Sequence, residues 1–162
     1  MRARMRLELT DRGGGLVAAR EASNAVMRDG ALLVARLFSG TAGTAPITHL
    51  GVGTSDAPET DAYATAALAN TDPPLSGDTE AAIPADAFTV TTDTDRRLAV
   101  VRVRGTLPDT AAQGTIREAG LVSKAEAGSV LYNRVTFAPV SKAGDHELTL
   151  FWEITFPYGD LA

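Results

Sequence analysis

At 162 residues with 44% hydrophobic content, the chain is the size of a single domain and can fill one core. It has no Cys, which excludes a disulfide framework and a Cys-based zinc site, and no run approaches the roughly 20 apolar residues of a membrane span. The net charge of −5 is unevenly spread: residues 1–40 carry seven Arg against four acids, 41–95 carry nine acids and no Lys or Arg, and 96–162 carry eight basic residues against seven acids.

Such asymmetry either marks an electrostatic contact between subunits or simply keeps a polar loop soluble. The basic residues are few, scattered and not interleaved with aromatics, so nucleic-acid binding is disfavoured. Arg2, Arg4 and Arg6 make the start basic, but Leu7-Glu8-Leu9-Thr10-Asp11-Arg12 stands where a secretory signal needs an apolar stretch. The expectation is a soluble product made in the cytoplasm.

In chain order, Met5, Leu7 and Leu9 alternate with Arg4, Arg6 and Glu8, the period-two pattern of an amphipathic strand. Residues 11–15 form a glycine-rich turn. Residues 16–20 return as a second strand, although Ala18-Ala19-Arg20 suits a helix equally well. Ser23 or Asn24 reads as a helix N-cap, with Val26, Met27, Leu33, Val34, Leu37 and Phe38 at helical spacing and Gly40 as the stop. Gly30 within that helix either allows close packing or marks a break after Asp29. The expected helix covers one face of the sheet.

Residues 47–52 form a third strand ending in Gly51-Val52-Gly53, which lacks the spacing of a phosphate loop. Residues 54–87 are rich in Ala, Thr, Asp and Pro and read as a polar arm or extended loop that orders against neighbouring subunits. Within it, 63–70 is a candidate for two helical turns capped by Asp61 and ended by Pro73-Pro74. Strands follow at 88–92 and 97–105, then a loop at 107–113.

The C-terminal stretch is the most regular. Three apolar runs, 114–122, 130–140 and 146–156, are separated by turn-prone segments at 123–129 and 141–145, the pattern of an antiparallel meander. Leu148, Leu150, Trp152, Ile154 and Phe156 share one face of the last strand, with Thr149, Phe151, Glu153 and Thr155 on the other.

These residues carry a resemblance. The string Thr115-Ile116-Arg117-Glu118-Ala119-Gly120-Leu121, a strand ending near Arg134 and Phe137, then Lys142, and the closing alternation from Leu148 to Phe156 resemble a family of tailed-bacteriophage structural proteins. Ile47-Thr48-His49-Leu50-Gly51-Val52-Gly53-Thr54-Ser55-Asp56 is similar to that family's strand-then-loop segment. Members occur among tail, baseplate and fibre-attachment components, with related domains in phage-derived injection particles. The resemblance implies a structural role with no catalytic residue in the motif.

Direct searches for chemistry find little. His49 and His146 have no HxxxH spacing. Asp56, Glu59 and Asp61, and likewise Asp93 and Asp95, lack the spacing of a calcium loop. No GxSxG elbow is present. Arg117 and Glu118 are adjacent and point to opposite faces of a strand, so one of them looks toward a core or a subunit contact; the readings are an intersubunit salt bridge or ordinary intrachain pairs.

The expectation is therefore a mainly β, antiparallel sandwich-like single domain (1–162) with one N-terminal helix and a polar arm at 54–87. Neither enzyme activity nor a cofactor, metal or catalytic site is expected. The expected role is a structural subunit of a tailed-phage virion or phage-derived injection particle, at the tail tip, baseplate or fibre attachment, with self (trimer or hexamer) and other particle proteins as partners. Alternatives are a capsid decoration or spike protein, and a carbohydrate-binding module. The last needs exposed aromatics, for which Tyr63, Tyr132 and Tyr158 remain once Phe137, Trp152 and Phe156 are assigned to core faces.

Overall fold

The alternation of Met5, Leu7 and Leu9 with charged residues becomes strand β1 (Arg2–Thr10) in a computed structural model that describes residues 1–59 and 63–159. All three apolar side chains are buried while Arg2, Arg4 and Arg6 face out. Asp11 closes the following turn by accepting the amide protons of Gly13 and Gly15 at 2.9 and 2.8 Å, so the chain returns directly as β2 (Leu16–Val26). The strand reading of 16–20 therefore holds over the helical one.

β2 runs further than expected and delays the helix. Ser23 and Asn24 pair with Arg4 and Ala3 of β1, and Ala25 and Val26 pair with Arg134 and Asn133. Their backbone is committed to the ladder, so neither residue caps a helix. Helix α1 spans Arg28–Phe38 with Met27 at the N-cap position and no side-chain cap. It ends as expected at Gly40, which takes φ +66°, where Thr41 and Gly40 donate to the carbonyls of Arg36 and Leu37. That is the Schellman arrangement, and it needs a left-handed residue at this point.

Gly30 belongs to the close-packing reading. A Cβ there would lie 2.0 Å from the Tyr132 carbonyl oxygen. The helix covers the sheet only along its first turns: Met27, Gly30 and Leu33 are buried, but Leu37 is 42% and Phe38 94% exposed. The expected cover over one whole sheet face is thus partial.

The remaining strands are β3 (His49–Gly53), β4 (Glu80–Ala82), β5 (Phe88–Asp93), β6 (Leu98–Leu107), β7 (Gly114–Ala125), β8 (Gly128–Leu131), β9 (Asn133–Lys142) and β10 (Glu147–Pro157). All pairings are antiparallel, in the order β4-β3-β7-β9-β2-β1-β10-β6-β5, with β8 added to β7. Strand makes up 53% of the described residues and helix 10%, so the mainly β reading is correct. The sheet curls until its two halves face each other. Leu50 of β3 lies against β6 so closely that a Cβ on Gly105 would sit 1.9 Å from its Cδ2. Between the halves lies one main core that includes Leu7, Leu50, Leu107, Ile116, Val135 and Trp152.

Two expectations need correction. The last three runs are not one meander: β9 pairs with β7 and β2, while β10 crosses to the other half and lies between β1 and β6. A period-two pattern defines a strand's faces but not its neighbours. Nor does the 54–87 segment wait for a neighbouring subunit. Its described part is hydrogen-bonded to this chain: Thr54 N–H donates to Ala69 O, Val52 N–H to Thr79 O, and Ser76 exchanges bonds with Gln113. Leu75 and Ile83 are buried in the core. It contains the short strand β4 and is folded onto its own sheet. Residues 65–70 form no helix, and Asp61, the expected cap, lies outside the described residues.

Candidate functional site

The Thr115–Leu121 motif places its acid inside. The ladder between β7 and β9 shifts register between Ile116 and Glu118, and Glu118 turns inward toward Arg134 of β9, each only 1% exposed. Arg134 Nε donates to Glu118 Oε2 at 2.5 Å. Burying two charges costs several kcal/mol per ion, a cost that their attraction offsets only where further hydrogen bonds meet the rest of both groups; here every side-chain nitrogen of Arg134 and both carboxylate oxygens of Glu118 have a partner. Glu118 Oε1 accepts from Ala69 N–H at 2.7 Å and Ser55 N–H at 3.4 Å, while Arg134 Nη1 and Nη2 donate to Ala57 O at 2.8 Å and Ser55 Oγ at 3.3 Å. Gly53 leaves the necessary room, since a Cβ there would meet Glu118 Oε1 at 2.4 Å.

Arg117 faces out and reaches Asp56 at 3.8 Å. Both members of the Arg117–Glu118 pair are therefore engaged within the chain, which is the intrachain reading. Glu59 accepts from the backbone and hydroxyl of Thr136. Together these bonds clamp both described ends of the 54–70 loop to β7 and β9. Arg134 stood out in the sequence only as part of the resemblance, and its burial was not expected. Its signal was an arginine inside an apolar strand run, which can be buried only beside a partner.

Lys142 is a second internal charge, 2% exposed at the end of β9. Its Nζ donates to the carbonyls of Pro108, Asp109 and Ala111 at 2.8, 3.1 and 2.6 Å. Burial lowers its pKa, against the opposing pull of Asp109 and Glu147. The ammonium thereby holds the 108–113 loop in place of a hydrogen-bonded strand. In the sequence it stood out only as part of the resemblance.

The other residues singled out from sequence are dispersed. His49 bonds Thr48 Oγ1 through Nδ1 at 2.8 Å, and His146 Nδ1 accepts from Ala143 N–H at 3.0 Å. Asp93 accepts from Arg96 N–H at the β5–β6 turn, where Asp95 is also exposed. Among the described residues no three His, Cys, Asp or Glu side chains gather, and no helix is long and apolar enough to cross a membrane. Trp152 and Ile154 lie on the core face as expected, with Phe137 and Phe156 packed against the same core. Tyr132, one of the three aromatics reserved for a ligand platform, is 4% exposed; its hydroxyl donates to Met1 Sδ and burial raises its pKa to about 12. Tyr63 and Tyr158 remain exposed.

Two surfaces are left for contact. The first is an apolar cavity of about 600 Å³ where the sheet halves part, between α1 (Leu33, Leu37) and the chain positions Phe88, Val101, Ile154 and Phe156. The second is the outer face of β1, β10 and β6. There register aligns Arg4, Glu153 and Arg102 in one row and Arg6, Phe151 and Arg104 in the next. Arg102 is paired with Glu153 at 3.0 Å, and the Arg104 guanidinium sits 5.8 Å from the Phe151 ring centre. Comparisons with protein-family models, curated proteins and solved structures return no match to this chain.

Proposed function

We propose that the chain is a structural subunit of a tailed-phage virion or phage-derived injection particle, at the tail tip, baseplate or fibre attachment, working by self-association and docking. The observation that carries this reading is where the chain spends its charge. The buried Glu118, Arg134 and Lys142 are saturated by the chain's own groups, which serves to fix loops and not to act on a substrate. What faces outward is contact surface: the end strands β4 and β5 of the sheet, an uncovered apolar cavity and an arginine-rich sheet face. The resemblance of 47–56 and 115–156 to phage structural proteins supports the same reading.

Mass spectrometry of density-purified particles from the source cells tests it. The expected result is this chain at a fixed copy number per particle, retained in the tail fraction after heads and tails are separated. Recovery with heads would move the protein to the capsid. Its absence from every particle fraction would end the proposal.

A further inference from the structure

The two strands that end the order of the curled sheet, β4 and β5, differ. β4 is three residues long, its Glu80 is tied to Lys124, and Pro84 follows shortly after it. That is how natural edges are blunted. β5 is six residues, Phe-Thr-Val-Thr-Thr-Asp, with no Lys, Arg or Pro and no bulge in its pairing with β6. Apart from that pairing, the backbone of residues 89–92 has no other partner among the described residues.

Side-chain placement on β5 adds a second observation. Phe88 and Val90 stand opposite Val103 and Val101, so they occupy the core-facing side of the sheet. Phe88 lines the apolar cavity with Val101 and Val103. Val90 nevertheless is 73% exposed. A β-branched apolar residue therefore points the way the core points and finds no layer over it.

We propose that two copies of this chain pair through β5, antiparallel about a two-fold axis at Val90, so that the sheet continues from one copy into the other. The occupant is a second copy because the strand is complementary to itself in this register. Val90 faces Val90 of the second copy, Thr89 faces its Thr91, and Phe88 faces its Thr92. Apolar residues stay on the inner side, threonines meet on the outer side, and no like charges stand opposite one another. The same register carries the hairpin tip past the second copy's exposed Asp86 with both signs of charge, Asp93 and Asp95 beside Arg96 and Arg97, so the tip neither adds to the pairing nor opposes it with a single sign. An isologous contact of this kind builds even-numbered assemblies, so of the two states expected from sequence it fits a hexamer and not an isolated trimer. The inference rests on the self-association part of the proposed function. Its test uses purified chain alone, so its failure leaves particle membership to be judged separately.

The absence of native Cys makes that test direct. Directly opposed strand residues lie about 4.5–5.5 Å apart, within disulfide range. Under mild oxidation Val90→Cys is expected to run almost entirely as a linked dimer on a non-reducing gel. Leu16→Cys, equally free on the distant β1–β2 turn at 60% exposure, is expected to stay monomeric. Light scattering should return an even multiple of 16.9 kDa for the unaltered chain. Val90→Lys and, separately, Thr91→Lys should halve that mass without changing the circular dichroism. A 16.9 kDa monomer for the unaltered chain, equal cross-linking of the two cysteine variants, or unchanged mass in folded lysine variants would each overturn the pairing.

Discussion

Gly30 shows how one atom decides a local rule. Replacing a helical glycine with alanine ordinarily gains about 1 kcal/mol. Here the new methyl would lie 2.0 Å from a backbone oxygen that β8 and β9 hold in place. Gly30→Ala is therefore expected to destabilise by about 1–3 kcal/mol, read as a lower urea midpoint; an unchanged or raised midpoint would mean that the helix can back away. Glu118→Gln should cost more, about 3–5 kcal/mol, because it sets an amide against a guanidinium that has lost its counter-charge while still buried. Equal stability of that variant would show that the clamp contributes nothing. Tyr132 supplies a pH signature. Its pKa is raised to about 12 by burial, so the folded state holds a proton that the unfolded chain, with a tyrosine value near 10, releases. The contribution is whole below pH 10 and is lost as pH rises toward 12, at up to about 1.4 kcal/mol per pH unit. Tyrosinate absorbance should include one late step near 12 that Tyr132→Phe removes, and its persistence in that variant would reassign it.

At the scale of elements, the 54–87 loop and α1 depart furthest from expectation. The loop is poor in apolar residues, yet Leu75 and Ile83 carry it into the core. Leu75→Ala is expected to lower stability by about 2–4 kcal/mol in chemical denaturation; a change below about 0.5 kcal/mol, as for surface sites, would restore the picture of a detachable arm. Most strands were legible, and β1, β5, β6 and β10 begin and end within a few residues of where alternation and turn residues put them, but β4 fell inside the segment read as an arm and β8 begins in one read as a turn. The start of α1 was not, because Ser23 and Asn24 are good caps in isolation and only the distant β9 draws residues 25–26 into a sheet. The clamp was half legible. Adjacent Arg117 and Glu118 required that one face inward, but the register shift that turns Glu118 toward Arg134 is set by how β7 and β9 meet.

For the whole molecule, the interleaving of the two sheet halves has a mechanical consequence. One half is built from β1, β2, β5, β6 and β10, the other from β3, β4, β7, β8 and β9. The chain passes between them repeatedly, so neither half is a contiguous segment that can fold alone. Unfolding should be a single cooperative event. Fluorescence of Trp152, the sole tryptophan, reports the first half, and tyrosine difference absorbance of a Tyr63→Phe, Tyr158→Phe variant, in which Tyr132 is the one tyrosine left, reports the second. Their urea transitions are expected to coincide, and separated midpoints would divide the domain.

Period-two alternation, glycine and aspartate turns, and the absence of cysteine were enough to establish a β-rich chain, most of its strands and the core face of β10. Those properties follow from side-chain direction and local turn chemistry, which each short segment carries within itself. Only the tertiary structure decided which strands are neighbours, where β2 yields to the helix, and that Glu118, Arg134, Tyr132 and Lys142 are buried. Each of these depends on groups far apart in the chain meeting at hydrogen-bonding distance, and a local pattern does not encode a distant partner.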